Sequence, residues 1–381
     1  MRDEERNKDS RFISQTSYSR PASRGEFDFI ERIRRRALKR RNAATDSDSS
    51  PIPLPSSLND IPHPSSLSCG IGDDAAVIRQ FAGRETVITT DLLVEEIDFL
   101  LDAAPARLLG HKALAVSLSD IAAMGARPRW ALLSIGVPGD IWRSAFLDQF
   151  YEGFFALADR YAVTLVGGDV SRTPERVVID SIVLGEVSRA PAILRSGARP
   201  GDHIFVTGAL GGAAAGLRLI LGGARLLKRA PRRRETQRAE RLLLRHLCPQ
   251  PRVRWGAALC EGRLATAMID ISDGLSSDLA HLCRESNVGA RIEASRIPVD
   301  PLIAEAQDFD PLSLALHGGE DFELLFTVRP RSLARLPSEI DGLPVTYIGD
   351  VTDEREGIRL VHQGRARSLK PTGFTHFKAR K

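Results

Sequence analysis

The strongest constraint on this 381-residue chain is a set of aspartates in short segments spread from one end to the other. They read Gly-Ile-Gly-Asp-Asp at 70–74, Thr-Thr-Asp at 89–91, Leu-Ser-Asp at 118–120, Gly-Gly-Asp at 167–169, Ile-Asp-Ile-Ser-Asp-Gly at 269–274 and Gly-Gly-Glu-Asp at 318–321. Each lies at the edge of an apolar run, where a strand or helix is expected to end. Carboxylates gathered at such ends repel one another, by about 4 kcal/mol per pair at 4 Å and an effective dielectric near 20. A fold that collects several needs cations. Oxygen ligands without His or Cys point to Mg²⁺ rather than zinc. Mg²⁺ held by a few carboxylates usually holds phosphates as well.

Composition narrows the class. Basic and acidic residues number 53 and 49, a net charge of +4, which argues against a surface built throughout for nucleic acid. The stretches from Arg32 to Arg41 and from Arg225 to Arg245 are strongly basic and read best as solvated helix faces. Cys69, Cys248, Cys260 and Cys283 form no C-x-x-C pair and have no His at ligand spacing, so they read as free thiols in a reducing compartment. No apolar run reaches the roughly 18 residues of a membrane helix. The N-terminus is polar and lacks a signal-peptide core. These features predict a cytoplasmic protein without a membrane or nucleic-acid partner.

Along the chain, residues 1–24 read as a disordered tail, 25–41 as a helix and 43–68 as a Ser/Pro-rich flexible insert. Strands are expected at 87–90, 132–137, 163–166, 177–187, 203–207, 267–271, 324–328 and 345–348, and helices at 108–124, 145–161 and 274–287. The alternation predicts an α/β or α+β class. A turn-rich junction at 195–202 places a domain boundary just before it, giving an N-terminal domain over 25–192 and a C-terminal domain over 193–381. The glycine-rich stretch 208–216 follows a strand and opens a helix, but lacks G-x-G-x-x-G spacing, so a close-packed turn is the better reading. No Walker loop, protein-kinase motif set or twelve-residue calcium loop is present.

A single Asp beside Gly usually marks a turn or a helix cap. Six such motifs exceed what turns require. Thr89 and Thr90 add oxygens next to Asp91, and Asp270 and Asp273 straddle a strand end where both can face one ion.

The motifs Gly-Ile-Gly-Asp-Asp-Ala-Ala-Val (70–77), Thr-Thr-Asp-Leu-Leu-Val-Glu (89–95) and Lys-Ala-Leu-Ala-Val-Ser-Leu-Ser-Asp-Ile-Ala-Ala-Met-Gly-Ala-Arg-Pro (112–128) resemble the thiamine-monophosphate kinase family. So do Val-Gly-Gly-Asp (166–169), Arg-Ser-Gly-Ala-Arg-Pro-Gly-Asp (195–202), Ile-Asp-Ile-Ser-Asp-Gly-Leu-Ser-Ser-Asp-Leu (269–279) and Gly-Gly-Glu-Asp-Phe-Glu-Leu (318–324). They occur in the family's order, and the resemblance covers 25 to about 377. It implies a two-domain aminoimidazole ribonucleotide synthetase-like fold: a mixed-sheet N-terminal domain, a C-terminal α/β domain, and a homodimer built on the N-terminal domains. It also implies ATP and several Mg²⁺ ions between the domains. By motif match, Asp74, Thr89, Thr90, Asp91, Asp120, Asp169, Asp270 and Asp273 hold metal. Tyr151, Gly168, Arg195 and Ser272 contact ATP. Glu320 and Phe374 contact the thiamine moiety.

One departure stands out. The family commonly reads Val-Glu-Gly-Val-His-Phe after Thr-Thr-Asp, and its His meets the substrate. Here the stretch is Val-Glu-Glu-Ile-Asp-Phe at 94–99, so Asp98 takes the place of the His and becomes the expected substrate contact. The expected activity is Mg²⁺-dependent, direct phosphoryl transfer from ATP to thiamine monophosphate. The alternatives are another ATP-dependent reaction of the superfamily, such as selenophosphate synthesis or purine-ring closure, or a non-catalytic nucleotide-binding homologue.

Overall fold

The structure is a computed structural model. It describes residue 29 and residues 31–37, 67–69, 77–78, 83–188, 190–226, 234–304 and 309–373. Asp74, Phe374, the 1–24 tail and most of the Ser/Pro segment lie outside the described residues.

Strands β1 (Leu67–Cys69) and β2 (Val77–Ile78) form an antiparallel pair. Strands β3 (Glu85–Val94), β4 (Arg127–Val137), β5 (Thr164–Arg172) and β6 (Val178–Val187) form a sheet in the order β3-β6-β4-β5. Only β4 and β5 run parallel in it. The helices of this half are α1 (31–37), α2 (Ala106–Ala123), α3 (Gly139–Trp142) and α4 (Phe146–Arg160).

The other half holds β7 (His203–Thr207), β8 (Ala265–Ile271), β9 (Val288–Glu293), β10 (Glu323–Val328), β11 (Glu339–Ile340), β12 (Leu343–Asp353), β13 (Ile358–His362) and β14 (Arg365–Ser368). They form one mixed sheet in the order β14-β13-β9-β12-β7-β10-β8, with β11 paired to β12. Its helices are α5 (Gly212–Leu221), α6 (Arg234–Leu247), α7 (Val253–Glu261), α8 (Leu275–Ser286), α9 (Pro301–Ala304) and α10 (Pro311–His317).

Period-two patterning explains β3. Val87, Thr89, Asp91 and Leu93 face the helices, while Ile88, Thr90 and Leu92 face outward, with Ile88 64% and Leu92 59% exposed. The strand was expected to stop before Asp91. It continues to Val94 because β6 supplies ladder partners throughout: Asp91 pairs with Ser181 and Val94 with Val178. The strand expected over 163–166 likewise runs through Gly167-Gly168-Asp169 to Arg172, carried by β4.

Helix α2 is the axis of the molecule. Apolar residues surround it on nearly all sides, as in a helix packed inside a core. It touches β3, β4, β6 and α4 in its own half, and α7, β8 and β10 in the other. One apolar cluster therefore runs from Phe29 and the α4 aromatics through Leu114 and Leu118 to Trp255 and Phe326.

Two glycines permit the close contact of α2 and α4. A Cβ on Gly110 would lie 1.9 Å from the Phe150 carbonyl oxygen, and one on Gly153 would lie 1.7 Å from the Arg107 carbonyl oxygen. Both obstacles are backbone, so the helices must separate to admit a methyl group. Gly153→Ala is expected to destabilise the protein by about 1–3 kcal/mol, the range for overpacking. Chemical denaturation measures this, and an unchanged midpoint and slope would contradict the contact.

Candidate active site

Helix α2 ends beside β3 and β8, and this junction gathers carboxylates. Thr89 donates its hydroxyl to Asp120 at 2.5 Å. Asp91 faces the same side, near Ser117. Ser119 donates to Asp270 at 2.7 Å, joining α2 to the end of β8. The backbone turns after Ile271, and Asp278 on the first turn of α8 accepts N–H bonds from Asp273 and Gly274 at 3.2 and 3.0 Å.

Burial and mutual repulsion hold protons on these groups. Asp91 is pushed up to about 7 by burial, then by the charge of Asp120. Asp270, 3% exposed, is pushed up to about 7 by burial and by Asp120. Burial, with Asp270 and Asp273 beside it, raises Asp278 to about 8. Burial also raises Asp120, opposed by Thr89 and by the positive charge of Arg195. Asp91 Oδ2 is buried without a hydrogen-bond partner.

The structure divides the expected ligands between two faces of the β3-β6-β4-β5 sheet. Thr89, Asp91, Asp120, Asp270 and Asp273 gather on the α2 side. Thr90 lies on the outer face and donates to Asp180 at 2.6 Å. Asp180, Ser134 and Asp169 occupy one register row, so Asp169 also belongs to the outer face. Gly168, with φ +150°, is in the next row; a Cβ there would meet the Leu133 carbonyl oxygen at 2.0 Å. Tyr151 stands apart. It is 3% exposed, ringed by Phe29, Phe150, Phe154 and Phe155.

A cavity of about 590 Å³ opens between the halves. Asp91, Ser272 and Asp273 line it at the carboxylate end, with Asp98, Lys112 and Glu320 elsewhere on its wall. Gly373, next in sequence to Phe374, also lines it. Asp98 is anchored by the Val94 N–H, which it accepts at 2.8 Å. Sequence reasoning missed Asp180, Asp278, Lys112 and His246. A lysine inside the apolar run of α2 was the available signal for Lys112. His246 gave none.

The glycine-rich stretch takes another role. Asp321 accepts the N–H groups of Gly211 and Ala213 at 2.6 and 3.1 Å, so a protein carboxylate caps α5. Burial pushes Asp321 up to about 7 against these two bonds.

The residues suit a hard dication chemically. All donors are oxygens, several carboxylates repel one another, and one buried oxygen is unmatched. Among the described residues no three acidic, His or Cys side chains form a ready metal cage. Mg²⁺ seldom uses one, since it keeps waters and substrate phosphates in its shell.

Two sequence models match the chain: AIR synthase related protein, N-terminal domain, over 72–187, and its C-terminal domain over 199–362. Fold and site thus define a two-domain protein of the AIR synthase related class. Thiamine-monophosphate kinase of Escherichia coli (strain K12) is 40% identical over 314 residues, 82% of this chain and 92% of that protein. A crystal structure of thiamine-monophosphate kinase from Stenotrophomonas maltophilia K279a superposes with TM-score 0.72 at 36% identity, covering 90% of this chain and 98% of that one. A structure described as AaThiL complexed with AMPPCP and TMP gives TM-score 0.67 at 30% identity, covering 93% and 97%. The chain belongs to the thiamine-monophosphate kinase family.

Asp321 carries a pH prediction. Its folded-state value lies above the ordinary 3.8, so the folded chain binds a proton that the unfolded chain releases. That contribution to stability is complete below about pH 4 and is lost as pH rises through about 7. From about pH 5 to about pH 8 the parent should lose melting temperature relative to Asp321→Asn. Parallel profiles for the two proteins would contradict the shift.

Proposed function

We propose that this protein transfers the γ-phosphoryl group of ATP to thiamine monophosphate, giving thiamine diphosphate and ADP. The observation that carries this reading is the cavity that joins Asp91 and Asp273 to Asp98 and Glu320 between the two halves. It has room for a heterocycle at one end and anionic phosphates with their counter-ions at the other. The family relationship and the relative complexed with AMPPCP and TMP support the same substrates.

Asp91, Asp120, Asp270 and Asp273 are the proposed core of a Mg²⁺ site, with Thr89 as a neighbouring oxygen and Asp74 as a further expected ligand; Thr90 and Asp169 lie on the outer face with Asp180, away from this core. Bound Mg²⁺ would supply charge neutralisation for two phosphate groups that otherwise repel. Arg195, whose charge acts on Asp120 and Asp270, holds the donor phosphates with Ser272 and the Gly168 backbone. Tyr151 acts through the packing of α4 rather than on ATP in its own chain. Glu320, Asp98 and Phe374 hold the acceptor. A phosphate monoester is already ionised near neutral pH and is a competent nucleophile. The transfer therefore needs no general base, and it proceeds in line without a phosphoenzyme.

Two further properties are proposed. The outward Ile88 and Leu92 support a homodimer formed on the first sheet. The free thiols Cys248, Cys260 and Cys283 suit a reducing, cytoplasmic setting, and no helix among the described residues is long and apolar enough to cross a membrane. Light scattering is expected to give twice the chain mass, and Ile88→Arg to reduce it; a monomeric parent would contradict the dimer.

The acceptor assay tests the function. Thiamine monophosphate should give thiamine diphosphate and ADP in equal amounts, whereas free thiamine, which offers only a hydroxyl, should turn over poorly. Asp91→Asn and Asp120→Asn should each cut turnover by at least ~10²-fold, the scale of losing one transition-state stabiliser. Asp98→Ala should raise the acceptor KM more than it lowers kcat. Efficient phosphorylation of free thiamine would overturn the phosphate-acceptor reading, and near-normal turnover in either Asn variant would remove that residue from the site.

A further inference from the structure

Glu320 is fixed at both its backbone and its carboxylate. Its N–H donates to the Ser272 carbonyl at 2.7 Å, and the Phe322 N–H donates to the Ile271 carbonyl at 2.9 Å. Both residues are non-glycine with left-handed backbones, φ 66° and φ 50°. Such conformations persist where surrounding structure over-determines them, and they cluster at functional sites. The side chains alternate: Glu320 and Phe322 line the cavity, and Asp321 between them caps α5.

The Glu320 carboxylate is clamped by two basic side chains from different elements. Lys112 Nζ lies 2.8 Å from Oε1 and donates to Oε2 at 3.0 Å; His246 Nδ1 lies 2.7 Å from Oε2, at contact distance but not aligned as a hydrogen bond. Lys112 is 2% and His246 4% exposed. Lys112 comes from α2 in the first half, and His246 from α6 in the second. Burial alone would raise the Glu320 pKa, but Lys112 and His246 outweigh it and hold the carboxyl down to about 2.

Packing does not demand this arrangement. A buried ion pair is often no more stabilising than apolar residues of the same volume. Lys112 sits beside Leu109, Ala113 and Val116, a setting that would accept Met. A carboxylate offers about four lone-pair sites. The contacts with Lys112 and His246 leave room for one more donor, such as an amino group or ring N–H of a heterocycle in the cavity.

We propose that Lys112 and His246 are positioning residues that hold the Glu320 carboxylate in one orientation on the cavity wall, where it accepts a hydrogen bond from the heterocycle of the acceptor. This rests on the reading that the acceptor is thiamine monophosphate. Because Lys112 and Glu320 belong to opposite halves, the acceptor end of the cavity is complete only when the halves are docked.

A double-mutant cycle tests the clamp. Lys112→Met and Glu320→Gln should each raise KM for thiamine monophosphate by ~10-fold or more while KM for ATP stays within ~3-fold. If Lys112 acts through Glu320, the double variant should be no worse than the worse single one. His246→Leu should raise the same KM, and His246→Asn, which returns a donor near the Nδ1 position, should recover part of the loss. Should Lys112→Met fail to fold, the two His246 variants carry the test. Additive KM effects, an equal rise in both KM values, or a fall in melting temperature without any change in acceptor KM would overturn the proposal. A parent that binds thiamine monophosphate by calorimetry without phosphorylating it would overturn the function alone, and the same cycle read in Kd would then decide the clamp. A parent that does not bind it overturns both.

Discussion

Like charges buried at one seam govern this structure. Asp91, Asp120, Asp270, Asp273 and Asp278 converge where α2, β3 and β8 meet. Each ionised pair at contact distance costs about 4 kcal/mol at an effective dielectric near 20. Hydroxyls from Thr89 and Ser119 and N–H groups at Asp273 and Gly274 offset part of that cost. Arg195 adds positive charge. Retained protons relieve much of the remainder until counter-ions and phosphates arrive, and a continuous apolar cluster bridges the halves beside the seam.

Helix α2 meets both demands at once. Its apolar surface anchors the sheet, α4 and α7, while its polar residues serve two places: His111 and Lys112 meet Pro249 and Glu320 in its first half, and those of its last turns reach the seam. Ser117, Ser119 and Asp120 lie at its last turns, next to the carboxylates. Close contact with α4 through Gly110 and Gly153 keeps the axis from shifting. A helix locked on several sides can place its polar groups to within the tolerance that a multi-carboxylate site requires.

Class and family were legible in the sequence because the aspartate motifs are local and ordered along the chain. The alternation gave the α/β or α+β class, the resemblance implied the mixed sheet, and β7 over His203–Thr207 was read residue for residue. Strand ends were misread at Asp91 and Gly168, since a carboxylate or glycine pair looks like a stop until a neighbouring strand provides the ladder. The same ambiguity hid which face of the sheet each ligand takes. Thr89 and Thr90 are adjacent in sequence, yet one meets Asp120 and the other Asp180. Tyr151 falls on the apolar stripe of an amphipathic helix with Leu147, Phe150, Phe154 and Phe155, so its spacing already pointed inward, against the ATP contact that the resemblance implied. Helix α6 is strongly amphipathic, but its basic stretch was read only as a solvated face, and nothing local connects His246 with Glu320 much further along the chain.

The cavity has two electrostatic ends, and α2 sets their spacing. Lys112 and Asp120 are eight residues apart, about 12 Å along the helix axis. At one end Lys112 neutralises the Glu320 carboxylate, with His246 beside it, so the wall there is polar and nearly balanced in charge. At the other end the carboxylates outnumber the one arginine whose charge acts on Asp120 and Asp270, which favours cations together with the phosphates they carry. A molecule with a heterocycle at one end and a phosphate at the other can satisfy both ends only in one direction. Reversing it would place the phosphate against Glu320 and leave the carboxylate seam facing an uncharged ring. Asp98 is also on the cavity wall, anchored through the Val94 N–H. A cationic ring bridging heterocycle and phosphate would meet a negative side chain there, where the commoner histidine offers a neutral or positive one. Orientation in this cavity therefore follows from charge placed along one helix, before any close fit to the substrate is considered.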